Sequence, residues 1–402
     1  MNICGFDWRE CITARRRVKR LSDSAARFAI LRGQSAGGGV CATIRGVMKV
    51  LASRFQAYLW LVVCAAAGVA MAFLFDDSCQ QDGGQHYLFA RWAWVHHELF
   101  VGVWARPLFT SIYAFPALIG YRAARLLTVL ICLAIAHQTW RLAEDFKINR
   151  APFAIALVWL QPSFFLFCAD NMTEPIFALV YVIALRLHHR GQPGHSGWIK
   201  AGMIVASLMI LARPEGLFFG VLWGVWVLLG VPPSGGRAEE FGVPPSGGRA
   251  EEFGVPPSGG RASITKPFRL KAVLQTLLQP LLLATGAFVW WLAALVITGD
   301  PLFIKHNWPA NWPMTGTIYG VAGLYAYPIR LPEIVGLFLL PPFFYGLFHL
   351  LKHRRLCTLT SSFLLFFILH TVLRAYGLLG SAGYPRYLVA ISPAIALITL
   401  TG

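Results

Sequence analysis

Charge is scarce in this 402-residue sequence: Asp, Glu, Lys and Arg together make up 13% of it, against about 25% in an ordinary soluble domain. Acid is scarcer still, with 18 Asp and Glu beside 35 Lys and Arg. So dilute a charged complement excludes a single soluble core. The eight cysteines are scattered, with no CxxC pair and no metal-ligand spacing, so they offer no cysteine-based metal centre. Several, such as Cys64 and Cys132, lie inside apolar runs as small buried hydrophobes. The net charge of +17 is not gathered into a compact basic patch, which argues against nucleic acid as a partner. No secretory h-region follows the basic N-terminal residues directly.

What is abundant is apolar sequence, 56% of the chain. A membrane span needs roughly 20 mostly apolar residues, and its backbone must satisfy its own hydrogen bonds, so such runs are helices. The runs predict an all-α, polytopic transmembrane bundle of about ten spans, near 57–75, 122–139, 151–168, 175–187, 198–212, 217–231, 272–297, 333–350, 358–373 and 387–402. The stretch 104–120 is apolar but carries Pro107 and Pro116. It predicts interfacial helices in the first outer loop rather than a further span.

Two segments are of different material. Residues 1–47 are basic and rich in Arg, Ser, Ala and Gly; disorder is expected there, with Met48 as the working start, since Met-Lys-Val leads straight into the first span. A transit peptide is the other reading of this composition. Within the remaining 48–402, the segment 231–262 holds two copies of VPPSGGRAEEFG and a partial third, too poor in apolar residues to pack and read as a flexible inserted loop.

Lys and Arg set the orientation. With the N-terminus in the cytoplasm, 26 of the 35 fall on the cytoplasmic side and 9 outside, or 14 against 9 without residues 1–47 and the repeat, as the positive-inside rule requires. The expected location is the inner (cell) membrane. This topology puts the polar residues that are hardest to explain on one outer face: Asp76, Asp77, Asp82, His86 and Tyr87; then Asp170, Asn171 and Glu174; then Arg213 and Glu215; then the aromatic loop with Lys305, His306, Trp308 and Trp312; then Arg374, Tyr384, Arg386 and Tyr387. Each has a plain reading as a boundary residue, a helix cap, a local ion pair or an aromatic belt. Asp82 opens DGGQHYLFARWAW, an amphipathic aromatic pattern, and a carboxylate there suits a base facing a lipid-borne substrate.

Four stretches carry a resemblance: FDDSCQQDGGQHYLFARWA after the first span, QPSFFLFCADNMTEPIFALVYVIAL with its Thr-Glu-Pro turn, LARPEGLF, and GYPRYLVAISPAIALI. In this order they resemble the C-type membrane glycosyltransferase superfamily (GT-C), which includes protein mannosyltransferases, aminoarabinose transferases and GPI mannosyltransferases. The resemblance implies transfer of a hexose or pentose from a polyprenyl-phosphate carrier to a lipid, glycan or protein acceptor, with inversion. It implies an outer-loop aspartate as general base, Asp82 first and Asp77 second. It implies cations for the lipid phosphate, with Arg386 ahead of Arg213 and Lys305. Asp76, His86, Tyr87, Glu174, Glu215 and His306 complete the expected substrate-binding set. The usual tight acidic pair is here Asp76-Asp77, five residues ahead of Asp82, which leaves the base open among the three. The need for a divalent metal is open too. Relatives often continue beyond a point like Gly402, so the chain reads as either a minimal member or a truncated one.

A transporter or flippase would also use intramembrane polar residues, but no pair of Gly/Pro-broken spans related by an internal repeat is evident. A polysaccharide ligase also takes a lipid-linked donor through a large outer loop, but does not require acid just after the first span.

Overall fold

The computed structural model describes residues 37–74, 81–191, 196–228, 278–308, 319–378 and 381–402. The chain divides between Tyr58 and Leu59, and the packing below concerns Leu59–Gly402. Among the described residues every regular element is helical. The helices of ten residues or more are α1 (Gly37–Leu74), α2 (Gln81–Trp92), α3 (Pro107–Ile119), α4 (Tyr121–Asp145), α5 (Glu174–Arg190), α6 (Ser196–Ser207), α7 (Gly216–Leu228), α8 (Thr285–Thr298), α9 (Leu340–Lys352), α10 (Cys357–Tyr376) and α11 (Ser392–Thr401).

Four segments, Val50–Leu74, Tyr121–Asp145, Gln279–Thr298 and Cys357–Tyr376, are long and apolar enough to cross a membrane. Their side chains account for the two environments they meet. In α8, Phe288, Val289, Val296 and Ile297 are exposed, a contiguous apolar surface that water does not favour and lipid does. In α4, by contrast, Thr128, Cys132, Ile135, Ala136 and Thr139 are buried, so this helix lies in the middle of the bundle.

The core is built from aromatic rings at helical spacing. Phe177 and Tyr181 on α5 meet Phe219 on α7 at ring distances of 5.7 and 5.3 Å, and Phe366 on α10 closes on Phe219 at 5.0 Å. Phe109, Tyr113 and Ala117, each four residues apart on α3, are fully buried, the stripe expected of a helix with one face inward. Closeness matters at Gly346 on α9: a Cβ there would stand 2.1 Å from the Ile398 carbonyl oxygen of α11.

Several expected spans are shorter or interrupted. The run 151–168 is two helices, Phe153–Trp159 and Pro162–Leu166. Pro162 has no N–H to continue the ladder and Gln161 is extended; the Gln161 side chain turns instead to the Ser392 carbonyl at 3.0 Å. The run 333–350 is broken by a bend at Gly336 with φ 104° after the short helix Leu331–Ile334; it resumes as a 3-10 turn at Leu337–Leu339 that continues into α9. The run 387–402 begins as a 3-10 turn, Pro385–Ile391. The stretch 104–120 contains one helix, α3: Pro107 occupies its first turn, where no N–H is needed, and Pro116 falls in its last. α1 starts at Gly37, inside the segment 1–47. The repeat 231–262, residues 1–36, and Asp76, Asp77 and Trp312 lie outside the described residues.

Candidate functional site

Separate stretches of chain converge on a cavity of about 230 Å³. The first is the start of α2. Gly83 lies flat against Asp170, whose Oδ1 would be 2.4 Å from a Cβ at this position, so a side chain there would have to displace that carboxylate. Asp82 and His86, one turn apart, therefore share the face that lines the cavity. The second is the turn before α5. Arg125, buried in α4, donates from Nε to the Ala169 carbonyl at 2.7 Å, and the Asn171 amide donates to Asp170 Oδ1 at 2.9 Å. These bonds hold the turn that presents Thr173 and Glu174. Glu174 also sits in the first turn of α5, where negative charge meets the helix dipole.

The third stretch is Arg213, extended between the short helix Met209–Ala212 and α7. Its guanidinium binds two carboxylates: Nη1 lies 2.6 Å from Glu174 Oε1 and Nη2 lies 2.8 Å from Glu215 Oε1. The fourth is the 3-10 turn Pro385–Ile391. Arg386 donates from Nη2 to Asp82 Oδ2, and its Nε lies 3.7 Å from Glu174 Oε1. The result is a chain of charges, Asp82 to Arg386 to Glu174 to Arg213 to Glu215, almost all of it buried. Tyr384 and Tyr387 stack beneath it, the former 4.7 Å from the Arg386 guanidinium and the latter 4.9 Å from that of Arg213.

Electrostatics follow from the burial. Desolvation raises the Glu215 carboxyl, but the Arg213 charge beside it outweighs that and holds it at about 2. Desolvation lowers Arg213, yet Glu174 and Glu215 lift it above its ordinary value. Burial, then the charges of Arg106, Arg213 and Arg386, push the His86 imidazole well below its ordinary value, so it is neutral at pH 7. Three guanidiniums, of Arg106, Arg213 and Arg386, and three carboxylates, of Asp82, Glu174 and Glu215, line the cavity. Guanidinium forks suit phosphate oxygens, carboxylates accept hydroxyl protons, and the tyrosine and Trp104 faces suit a ring.

The residues expected from sequence thus divide. Asp82, His86, Glu174, Arg213, Glu215 and Arg386 are together in one cavity. Tyr87, one residue round α2 from His86, is packed edge-on to Tyr121 at 5.0 Å instead. Lys305 and His306 do not line the cavity: Phe303 and Ile304 pack on the cluster of Val101, Val103, Leu211, Trp290 and Ala294, which leaves Lys305 and His306 exposed. His306 is tied locally to Asp300, Nδ1 to Oδ2, at 2.8 Å.

Sequence reasoning missed several lining residues, among them Trp104, Arg106 and His370. Arg106 precedes α3 with φ 62°, a conformation that costs a non-glycine residue about 1–3 kcal/mol; its Nη1 donates to the Val103 carbonyl at 3.1 Å. His370 is buried in α10. Its signal was a lone imidazole inside a predicted span, where ionisable groups mark function. Among the described residues no group of three or more His, Cys, Asp or Glu side chains is arranged to hold a metal ion. Compared with known proteins, the chain matches no family model, no curated sequence and no solved structure.

Proposed function

We propose that the chain is an integral membrane glycosyltransferase of the C-type kind, moving a sugar from a polyprenyl-phosphate carrier to an acceptor hydroxyl on the non-cytoplasmic face. The observation that carries this reading is the contact of Asp82 with Arg386, 304 residues apart in sequence, at one polar cavity. A carboxylate able to take a proton and a cation able to receive a phosphate share that wall. A phosphate arriving at Arg386 competes for the guanidinium that holds Asp82 and frees the carboxylate. The acceptor oxygen then bonds the anomeric carbon and its proton passes to Asp82. The bond from that carbon to the phosphate oxygen breaks, and its electron pair leaves with the lipid phosphate, which Arg386 stabilises. Asp77 and Asp76 are the alternative bases.

A second cavity, of about 300 Å³, supports a lipid-borne substrate. It is lined by Phe100, Val101, Leu211, Trp290 and other apolar side chains, with Ser111 the polar one. Trp104 and Arg106 line the polar cavity, while Pro107 and Leu108, next in the chain, line the apolar one. An anionic head joined to a hydrocarbon tail suits such a pair. In this reading the four long apolar helices are joined by shorter ones, among them α6, α7 and α9, to reach about ten crossings with the N-terminus in the cytoplasm, and α3 stays interfacial.

The interruption at Gln161–Pro162 favours one second reading, a transporter of the same lipid-linked sugars, since broken helices recur in transporters. The test is an assay in proteoliposomes with labelled polyprenyl-phosphate sugars. Asp82→Asn keeps the shape and removes the base, and general-base catalysis is worth about 10²–10⁴-fold; transfer is expected to fall by that order while donor binding survives. Asp77→Asn is the control. Full transfer in both variants and in the double variant rules out Asp82 and Asp77 as the base and leaves Asp76, tested as Asp76→Asn. Movement of label across the bilayer without any transfer product selects the transporter.

A further inference from the structure

His370 is 1% exposed on α10 and lines the polar cavity. Three rings clamp it: Phe366 at 4.9 Å, Tyr387 at 5.2 Å and Tyr327 at 6.0 Å. Among the described residues neither of its ring nitrogens finds a hydrogen-bond partner. Buried imidazoles in a packed core are normally bonded, and leaving both nitrogens unpaired is a cost that no contact of the folded chain offsets. A phenylalanine would fill the aromatic clamp without that cost. The two nitrogens of a neutral imidazole supply one donor and one acceptor, which matches a hydroxyl group, itself donor and acceptor, and does not match a phosphate, which only accepts. In the transferase reading the guanidiniums of the same cavity take the phosphate.

We infer that His370 reads the transferred group: it hydrogen-bonds a hydroxyl of the bound sugar and so sets which sugars are accepted. This rests on the glycosyl-transfer reading above. His370 is then a specificity residue that trades stability for recognition, not a core residue.

The experiment compares wild type with His370→Phe and His370→Gln, using a panel of polyprenyl-phosphate hexoses and pentoses and, as a probe without sugar, polyprenyl phosphate itself. His370→Phe is expected to unfold in detergent at or above the wild-type temperature, while kcat/KM for the preferred sugar falls about 10- to 100-fold. The preferred donor is expected to stabilise wild type more than polyprenyl phosphate does, and His370→Phe to lose that difference and keep the stabilisation by polyprenyl phosphate. Wild-type kcat/KM and an unchanged order of preference in His370→Phe overturn the inference. If that variant does not fold, His370→Gln decides: a raised KM for the preferred sugar at unchanged stability supports the assignment, and unchanged KM and kcat overturn it. No transfer and no stabilisation by any lipid of the panel in wild type overturns the transferase reading, and this inference with it.

Discussion

Arg213 holds two carboxylates on one guanidinium, Glu174 at 2.6 Å and Glu215 at 2.8 Å. Removing one member of a buried ion pair strands the others and costs about 3–5 kcal/mol. Arg213→Ala is therefore expected to lower the unfolding temperature in detergent sharply, or to prevent accumulation in the membrane. Arg213→Lys, with a point charge in place of a fork, is expected to recover only part of the loss. Equal stability of all three proteins contradicts the network. Acid should act on the same residues. His86 is depressed in the folded state, so between its folded value and its ordinary value of 6.5 the unfolded chain binds the extra proton. Stability contributed by neutral His86 is thus complete above pH 6.5 and is lost as pH falls below it, by up to about 1.4 kcal/mol per pH unit. Glu215 has the same sign lower down: its contribution is intact above about pH 4.5 and is lost towards its folded value of about 2. The unfolding temperature of His86→Gln, followed against pH, is expected to fall less steeply than that of wild type just below pH 6.5. A slope identical to wild type assigns it to another group.

At the scale of elements, the fold depends on helices that approach more closely than side chains normally allow. Gly346 is the sharpest case, since a Cβ would stand 2.1 Å from the Ile398 carbonyl and a carbonyl on a packed helix cannot swing aside. Helix propensity alone favours Gly346→Ala by about 1 kcal/mol; overpacking opposes it by about 1–3 kcal/mol. Net destabilisation is expected, read as a lower unfolding temperature, and a stabilised variant shows that α9 and α11 do not pack as described. Gly83 differs in that its Cβ would meet a side-chain oxygen, Asp170 Oδ1, at 2.4 Å, and it bears on activity. Its replacement by Ala displaces the Asp170 carboxylate or shifts the start of α2 that carries Asp82, so turnover should fall further than stability does. The division of 151–168 at Gln161 shows the limit of run length as a guide. Pro162 was visible in the sequence, but the hydrogen bond from Gln161 to Ser392, 231 residues away, was not.

For the whole molecule, the expected topology rests on the distribution of Lys and Arg. Cysteine labelling of the repeat in 231–262 is expected to report the cytoplasm, and labelling beside Trp308 the opposite side. The reverse pattern sinks the outer-face assignment of the cavity. Deleting 231–254 is expected to leave membrane expression and transfer nearly unchanged, because whole repeats are removed and loop closure changes by only about 0.6 kcal/mol per doubling of length. Loss of expression on deletion gives the repeat a structural role.

By itself the sequence determined the helical class, the apolar runs and the polar residues that interrupt them, because hydropathy and helix length are local properties of a chain. Asp82, Glu174, Arg213, Glu215 and Arg386 stood out for this reason, each as an unexplained charge beside an apolar segment. Only the tertiary structure decided which of these charges meet. It paired Asp82 with Arg386 and bridged Glu174 and Glu215 through Arg213, while His306, in the short helix Phe303–His306, stayed exposed and bonded to Asp300. It also turned Arg106 and His370 inward, where the sequence offered only an arginine before a proline and a histidine within an apolar run. The reason is physical: the solvation of a polar group depends on neighbours brought by distant segments, and burial converts an ordinary charge into one that must be paired.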